Sequence, residues 1–273
     1  MFKAALPFAM LVGFSTVYNR IDIVLVTNYL GYAQTGLYTA AYKFFDLLAF
    51  FPAVVSHALY PLFASLMASG QKIEIRQILE KYLRFMIVIA LPIAVGGMIM
   101  ARPIVVLLAG AEFADAAPVL AILVWAPAIL FVYILMNSIV ISQLTKFAMI
   151  ITGVNVVVNI AGNMILLPRV GIVGAAIMTL TSEALQGIFY FYFVKKHITN
   201  FRFFVFTIKP IIAGLIMGVV VWQIKSMNLF FVIVVGAAVY ILTLVILRFF
   251  KRDDLEFIST MLGKPSRPVS YEE

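Results

Sequence analysis

Eight apolar segments, each long enough to cross a membrane as a helix, constrain the fold of this chain more than any other feature. They cover residues 4–28, 36–68, 80–101, 117–142, 146–167, 171–194, 207–225 and 229–249. A spanning helix needs about 20 mostly apolar residues. Hydrophobic residues make up 64% of the sequence and charged residues 12%, which leaves too little polar surface to cover a soluble domain. The sequence therefore predicts an all-α, polytopic membrane protein with about eight transmembrane helices.

The distribution of Lys and Arg predicts the orientation of these helices, because cytoplasmic loops carry an excess of basic residues. If the N-terminus is cytoplasmic, fifteen of the 20 basic residues fall on the cytoplasmic side. Three fall on the opposite side, namely Arg102, Arg169 and Lys225, and the remaining two lie inside predicted helices. We therefore expect both termini in the cytoplasm, with a polar cytoplasmic tail over residues 251–273.

Several classes of function find no support in the residues. Cysteine is absent, and the two histidines, His57 and His197, are far apart in the sequence, so no metal site is expected. The sequence contains no Ser/His/Asp set and no glycine-rich phosphate loop, so we expect neither an enzyme nor a bound cofactor. The formal net charge of +8 is assigned to the cytoplasmic loops and not to binding of nucleic acid.

The segment 69–84, SGQKIEIRQILEKYLR, alternates apolar and charged residues at helical spacing. Ile75 and Leu79 lie on one face of such a helix, whereas Lys72 and Arg76 lie on the other. This pattern predicts an amphipathic helix at the membrane interface. After the third apolar segment, the sequence predicts a short surface helix followed by a turn.

Four charged residues lie inside the first two apolar segments, where each ionised group costs about 2.5–3.5 kcal/mol on insertion scales. Arg20 and Asp22 precede a turn expected near residue 31, and Lys43 and Asp46 follow it at similar distances. In an antiparallel hairpin all four would lie at one depth. Two interpretations stay open: a structural cluster of ion pairs that joins the helices, or the wall of a cavity where a charged substrate displaces the internal partners.

A second polar group lies in the fifth and sixth apolar segments. Asn155, Asn159 and Asn163 recur every four residues and therefore share one helix face, which would either pack helices together or line a polar pathway. Glu183 and Gln186 share a face of the next helix, at a depth comparable to that of Asn155. For Glu183 we consider a structural hydrogen bond to the Asn residues or a coupling site for a proton or sodium ion.

Two stretches of this sequence resemble the polysaccharide flippase family. NRIDIVLVTNYLGYAQTGLYTAAYKF resembles a signature helix of that family, with an Arg-x-Asp, a Gly and a Gly-x-Tyr-x-x-Ala; VNVVVNIAGNMILLPRVGIVGAAIMTLTSE resembles a later pair of helices, with Asn residues, a short turn, Gly-Ala-Ala, Thr and Glu. The matching positions of the first stretch are Arg20, Asp22, Gly31, Gly36, Tyr38 and Ala41. The stretch LLAGAEFADAAPVLAIL also looks like a loop of the family.

The resemblance implies the multidrug/oligosaccharidyl-lipid/polysaccharide exporter superfamily, whose members have two six-helix lobes around a central cavity. The polysaccharide branch, which serves O-antigen and exopolysaccharide synthesis, often adds two helices. By this resemblance residues 1–200 would be the C-terminal lobe, residues 201–250 the additional pair, and the first lobe would be missing. A missing first lobe or a second chain would then be a partner, since two lobes rock against each other in alternating access.

The same resemblance implies a role in flipping undecaprenyl-diphosphate-linked oligosaccharide across the bacterial plasma (inner) membrane. Membrane lipid and the lipid-linked oligosaccharide would be the partners. Arg20 and Lys43 would attract the anionic substrate from the cavity wall, and Asp22 and Asp46 would hold these basic groups when the substrate leaves. Three alternatives stay open: a drug/cation antiporter, a peptidoglycan-precursor flippase, and a non-transporting scaffold or truncated gene product.

Overall fold

The computed structural model describes residues 2–250 and, within the first helix, side chains from Leu6 onward. That range contains ten α-helices and one 3₁₀-helix, and it contains no strand. The helices are α1 (Phe2–Tyr18), α2 (Ile21–Ala68), α3 (Lys72–Ile99), α4 (Ala101–Ala109), the 3₁₀-helix η1 (Ala111–Ala116), α5 (Ala117–Leu123), α6 (Trp125–Gln143), α7 (Thr145–Val170), α8 (Ile172–His197), α9 (Phe203–Ile224) and α10 (Leu229–Ile246). The prediction of an all-α, polytopic membrane protein is confirmed. The predicted tail at 251–273 lies outside the described residues.

The first long helical stretch folds back on itself and so makes two passes. Seven stretches of the described chain are long and apolar enough to cross a membrane, and the first of them, Leu6–Ala68, has 63 residues. At Gly31 the helical geometry of this stretch is interrupted, because Gly31 has φ 81° and ψ 176°. The hydroxyls of Thr27 and Thr35 lie 3.0 Å apart, whereas eight residues of continuous helix rise by about 12 Å. The chain therefore reverses at Gly31, close to the expected turn, and the seven stretches supply the eight predicted passes.

The first of these two passes is itself broken, between α1 and α2. Arg20 has the non-helical angles φ −138° and ψ −4°, and α2 begins at Ile21 with Asp22 in its first turn. The Asp22 carboxylate accepts a hydrogen bond from the backbone N–H of Ile23 at 2.9 Å, which is one of the N–H groups that have no partner within the helix. Irregular backbone at membrane depth is tolerated where protein buries it or where it lines a cavity.

Helix α3 differs from the prediction for residues 69–84. It begins at Lys72 and continues without a break to Ile99, so the amphipathic segment is the extended end of a span and not a separate interfacial helix. Ile75, Leu79 and Tyr82 are buried in the protein core, whereas Ile73 is exposed. The predicted helical periodicity is confirmed from Lys72 onward. The apolar face, however, packs against neighbouring helices, and this contact is not visible in the sequence.

The predicted surface helix after the third span is confirmed. Helix α4 ends at Gly110, whose φ of 107° favours glycine, and η1 follows directly. The fourth predicted span, 117–142, is divided into α5 and α6 at Val124.

Helices α9 and α10 pack against each other and against α3. Their contacts use glycine, because a Cβ on Gly218 would lie 2.9 Å from Val95 and one on Gly236 would lie 3.0 Å from Val221. The division of the chain into a lobe over 1–200 and an additional pair over 201–250 stays a prediction.

Candidate functional site

Helix α8 carries a row of buried polar side chains that contacts four other helices. Thr179, Ser182, Glu183 and Gln186 recur at spacings of one to four residues and are all buried. Their hydrogen-bond partners belong to α1, α2, α6 and α7. We call these four residues the α8 polar face. Polar side chains that bond across membrane helices fix the helices relative to one another.

Glu183 is the ionisable residue of the α8 polar face, and it is 3% exposed. Its Oε1 accepts a hydrogen bond from the Tyr18 hydroxyl at 2.8 Å, and its Oε2 accepts one from the Tyr133 hydroxyl at 2.5 Å. Within residues 2–250, Glu183 forms no ion pair with a basic side chain. Burial of a carboxylate is costly unless donors replace its water, and here α1 and α6 each supply one hydroxyl donor.

The Tyr133 hydroxyl also lies 2.7 Å from Oε1 of Gln186. A tyrosine hydroxyl has one hydrogen, so it can donate to Glu183 or to Gln186 but not to both. Turning the Gln186 amide by 180° places its NH₂ beside the Tyr133 oxygen, which then accepts while its own hydrogen goes to Glu183. This arrangement satisfies all three groups, and it makes Gln186 a donor.

The three asparagines of α7 are buried, but they are not equivalent. Asn159 donates to Ser182 at 3.1 Å, and Asn163 donates to Oδ1 of Asn159 at 3.0 Å. Neither amide atom of Asn155 makes a hydrogen bond of ordinary geometry with a described residue, although the amide interacts with the Tyr18 hydroxyl at longer range. Asn159 and Asn163 thus act in helix packing, whereas Asn155 makes no hydrogen bond of ordinary geometry and interacts with Tyr18 alone among the described residues.

The expected hydrogen bond between Glu183 and the asparagines is not formed. Tyr18 and Tyr133 occupy both carboxylate oxygens instead, since their hydroxyls reach Glu183 from two other helices. A coupling-ion role for Glu183 and the asparagines stays a prediction.

Asp22 is connected to the α8 polar face through the hydroxyl of another tyrosine, Tyr38. It is 3% exposed, and it accepts a hydrogen bond from the Tyr38 hydroxyl at 2.5 Å. The Tyr38 hydroxyl in turn lies 3.1 Å from the Thr179 hydroxyl. Tyr42, one turn beyond Tyr38, interacts electrostatically with both Asp22 and Glu183. The two carboxylates that the sequence placed in separate groups therefore belong to one buried region.

One of the two open interpretations, a structural cluster of ion pairs, is not formed by the other three charges. Arg20, Lys43 and Asp46 are exposed, and the one ion pair within 4.0 Å among the described residues is Arg76–Glu80, elsewhere in the chain. Arg20 and Asp46 both interact electrostatically with Tyr42, which adjoins Lys43, so the three lie around one point on α2. The hairpin brings the charges together in depth, as expected. Asp22 also interacts electrostatically with Arg20, but its hydrogen-bonding side-chain partner is the Tyr38 hydroxyl.

Tyr18, Tyr38 and Tyr133 are the site residues that sequence reasoning missed. Tyrosine in a membrane sequence is typical of the lipid–water interface, and nothing in the local pattern separates a buried donor from an interfacial anchor. Tyr38 and Thr179 lie 141 positions apart, and Tyr133 and Glu183 lie 50 apart. One available signal was the position of Tyr18 in the middle of an apolar segment, away from either predicted interface.

The fold is that of a polytopic membrane protein, and its buried ionisable residues Asp22 and Glu183 face the protein interior, as intramembrane ionisable residues usually do. Comparison with known proteins narrows this class. Residues 1–118 match the family described as "Polysaccharide biosynthesis protein". The sequence is 23% identical to the "Probable low-salt glycan biosynthesis flippase Agl15" of Haloferax volcanii, over 67% of this chain and 39% of that protein.

A second relative in the same organism, the "Probable flippase AglR", is 25% identical over 63% of this chain and 37% of that protein. This chain is thus similar, over part of its length, to a polysaccharide biosynthesis family and to two probable flippases. The chain spans less than two thirds of the length of either relative.

The fold is similar to that of the lipid II flippase MurJ in its inward closed conformation. The TM-score is 0.73, and the match covers 96% of this chain and 55% of that chain at 16% identity. At this identity the likeness concerns the fold alone.

Proposed function

We propose that this chain is one lobe of a flippase that moves a lipid-linked oligosaccharide across a membrane during polysaccharide biosynthesis. The family match and the two flippase relatives support the class of function. The relatives are longer than this chain, and alternating access requires two lobes. The proposal therefore includes a second lobe as partner, either in a longer polypeptide or in another chain.

The observation that carries the proposal is the exposure of Arg20 and Lys43 on the first hairpin. Neither forms an ion pair or a side-chain hydrogen bond with any residue in the described part of the chain. Basic groups at membrane depth are costly unless they meet a partner or face a water-filled cavity. A diphosphate-linked sugar that enters such a cavity would supply the anionic partner.

In this proposal Asp46 has a different role from that of the two basic residues. It lies one helical turn from Lys43 and is exposed, so it can attract the lysine when no substrate is present. Asp22 has a structural role instead, because Tyr38 already binds it. We further propose that the membrane is the plasma membrane and that both termini are cytoplasmic, which the distribution of basic residues supports.

An Arg20→Gln substitution at the native locus tests the cavity role. Loss of one charge-assisted phosphate contact should lower the amount of surface polysaccharide about tenfold or more, with accumulation of lipid-linked oligosaccharide inside the cell. Both are measured in membrane and surface extracts, beside an immunoblot for the inserted protein. Arg169→Gln, which removes an exposed arginine in the last turn of α7, is the matched control and should leave both amounts unchanged.

Normal surface polysaccharide in the Arg20→Gln strain would contradict the cavity role. So would an equal loss in the Arg169→Gln strain, because it would show an effect of net charge and not of this position.

A further inference from the structure

An apolar groove lies between α3, α6, α8 and α9, and it has a volume of about 630 Å³. Its lining combines large aliphatic and aromatic side chains with small residues such as Ala128, Ala184 and Gly187. None of the described lining residues belongs to the first hairpin or to the α8 polar face, and the groove meets the candidate site at Tyr133. The groove is therefore separate from the residues that carry the flippase proposal.

The groove forms because α8 and α9 separate beyond the short connection between them. Helix α8 ends at His197 and α9 begins at Phe203. From there α9 packs mainly against α3 and α10, whereas α8 packs mainly against α6 and α7. The gap between the two helices is open at its surface, since Ile188 on α8 is 65% exposed and Phe204 on α9 is 74% exposed.

The uncharged polar side chains of the lining are already used within the protein. Each of the four has a hydrogen-bond partner among the described residues. They are Trp125, Tyr133, Tyr192 and Thr207. An occupant of the groove therefore meets apolar surface over most of its length. A hydrocarbon chain suits such a surface, because it has no polar group that would need a partner there.

Lys195 is the charged residue of the described lining, and it lies at one end of the groove. It belongs to the last turn of α8 and is exposed. At Gly187, eight residues earlier, α8 is level with α6, because a Cβ there would lie 3.3 Å from Ile129 and 3.4 Å from Tyr133. The groove thus extends from the middle of these helices to the side that the distribution of basic residues predicts as cytoplasmic.

The length of the groove matches one leaflet of a bilayer. The lining residues on α6 run from Trp125 to Met136, and those on α8 run from Ala184 to Lys195. Each range covers eleven residue steps, which rise by about 16 Å in a helix. Half of a hydrocarbon core of about 30 Å is about 15 Å. A phospholipid has the matching distribution of groups: a chain of leaflet length, and at one end a phosphate that a lysine near the membrane surface attracts.

We propose that this groove binds one acyl chain of a membrane phospholipid, with the phosphate of the same lipid at Lys195. The chain fills the gap between α8 and α9 and so supports the position of α9 and α10 against the other helices. It also packs on the Tyr133 side chain, whose hydroxyl donates to Glu183. The proposal does not rest on the flippase proposal, and its test measures retention of lipid and not transport.

Native mass spectrometry of the purified full chain, in an uncharged detergent with added phosphatidylglycerol, tests the proposal. We expect one tightly retained phosphatidylglycerol per chain. Ala128→Phe and Ala184→Phe each place a ring in the groove, and each should lower retention about tenfold or more, since lost burial of about two methylene groups is enough for that effect. Ala238→Phe adds the same ring at an exposed position of α10 outside the groove and should keep retention.

Lys195 allows a separate test of the position of the phosphate. The protein should retain phosphatidylglycerol about fivefold better than diacylglycerol, which has the same chains without the phosphate, because one lysine near the surface attracts an anionic lipid by about that factor. Lys195→Gln should abolish the difference, and Lys195→Arg should keep it. Thermal unfolding in the same detergent without lipid should be similar for wild type and both Lys195 variants, since the side chain is exposed at the end of a helix.

Several outcomes would overturn the proposal. Full retention in Ala128→Phe and Ala184→Phe is one, and an equal loss in Ala238→Phe is another. A dimer in place of the lipid adduct would show that a second copy of the chain covers the groove. Displacement of phosphatidylglycerol by an equal amount of a polyprenyl diphosphate would assign the groove to the proposed flippase substrate. An unchanged advantage of phosphatidylglycerol in Lys195→Gln would overturn the position of the phosphate.

Discussion

Glu183 shows at the scale of single residues how this protein keeps a carboxylate at membrane depth. Two tyrosine hydroxyls take the place of water at its oxygens, and within the described residues no basic side chain pairs with it. A hydrogen bond to a charged group contributes more than one between neutral groups. The tyrosine hydroxyls should therefore contribute measurably to stability.

Tyr133→Phe tests this contribution. The substitution removes one donor from the buried carboxylate, so the free energy of unfolding should fall by about 1–2 kcal/mol. Unfolding is measured by titration with a denaturing detergent. Tyr240→Phe is the matched control, because the Tyr240 hydroxyl is buried without a hydrogen-bond partner in the described chain. Its removal should leave stability unchanged or raise it, and an equal loss in both variants would contradict this account of Glu183.

Asn155 and Asn159 allow a second comparison at this scale, since both are buried on the same face of α7. Asn155→Leu replaces an amide that makes no hydrogen bond of ordinary geometry with an apolar group of similar size, so stability should be equal or higher. Asn159→Leu breaks the bond to Ser182 and leaves Asn163 without its acceptor side chain, so it should cost about 1–2 kcal/mol. Thermal unfolding in detergent measures both. An Asn155→Leu variant as unstable as Asn159→Leu would show that Asn155 has a partner.

The first hairpin is the element that creates the candidate site. Its turn at Gly31 aligns Asp22 with Tyr38, and it places Arg20 near Tyr42. The φ of 81° at Gly31 lies in the region that other residues rarely adopt. The hairpin geometry should therefore depend on this glycine.

Gly31→Ala should lower the free energy of unfolding by about 1–2 kcal/mol, because alanine is strained at this φ. A Cβ at Gly31 would have no atom within 4 Å, so the effect would come from the backbone alone. Gly13→Ala is the matched control, since Gly13 also has open space but lies inside α1 without a positive φ. Alanine favours a helix at Gly13, so stability there should be equal or higher. A stable Gly31→Ala variant would contradict the hairpin geometry.

At the scale of the whole molecule, the order of passes fixes which loops share a side of the membrane. The chain has no cysteine, so a single introduced cysteine reports its own location. Lys146 lies in the first turn of α7 and Arg169 in its last turn, and both are exposed.

Arg169→Cys should react with a membrane-impermeant maleimide on intact cells, because the orientation proposed above places it outside. Lys146→Cys should react only after the cells are permeabilised. The measurement is the labelled fraction of each purified variant. The reverse pattern would show that the protein has the opposite orientation, and equal labelling of both positions would contradict the passage of α7 across the membrane.

The sequence by itself determined the helical passes, because apolar length and the satisfaction of backbone hydrogen bonds in lipid leave few alternatives. Periodicity likewise placed Asn155, Asn159 and Asn163 on one face, and it placed Glu183 and Gln186 on another. The turn near residue 31 followed from the spacing of the first two apolar segments. These properties are local, so they can be read from neighbouring residues.

Only the tertiary structure decided which polar groups meet. It paired Asp22 with Tyr38 and Glu183 with Tyr18 and Tyr133, and it left Arg20, Lys43 and Asp46 exposed. It also made residues 72–84 the end of a span, because their apolar face is buried against other helices. Helix periodicity states which face a residue occupies. The partner on that face depends on helix packing between residues up to 165 positions apart, and the order of residues along the chain does not specify it.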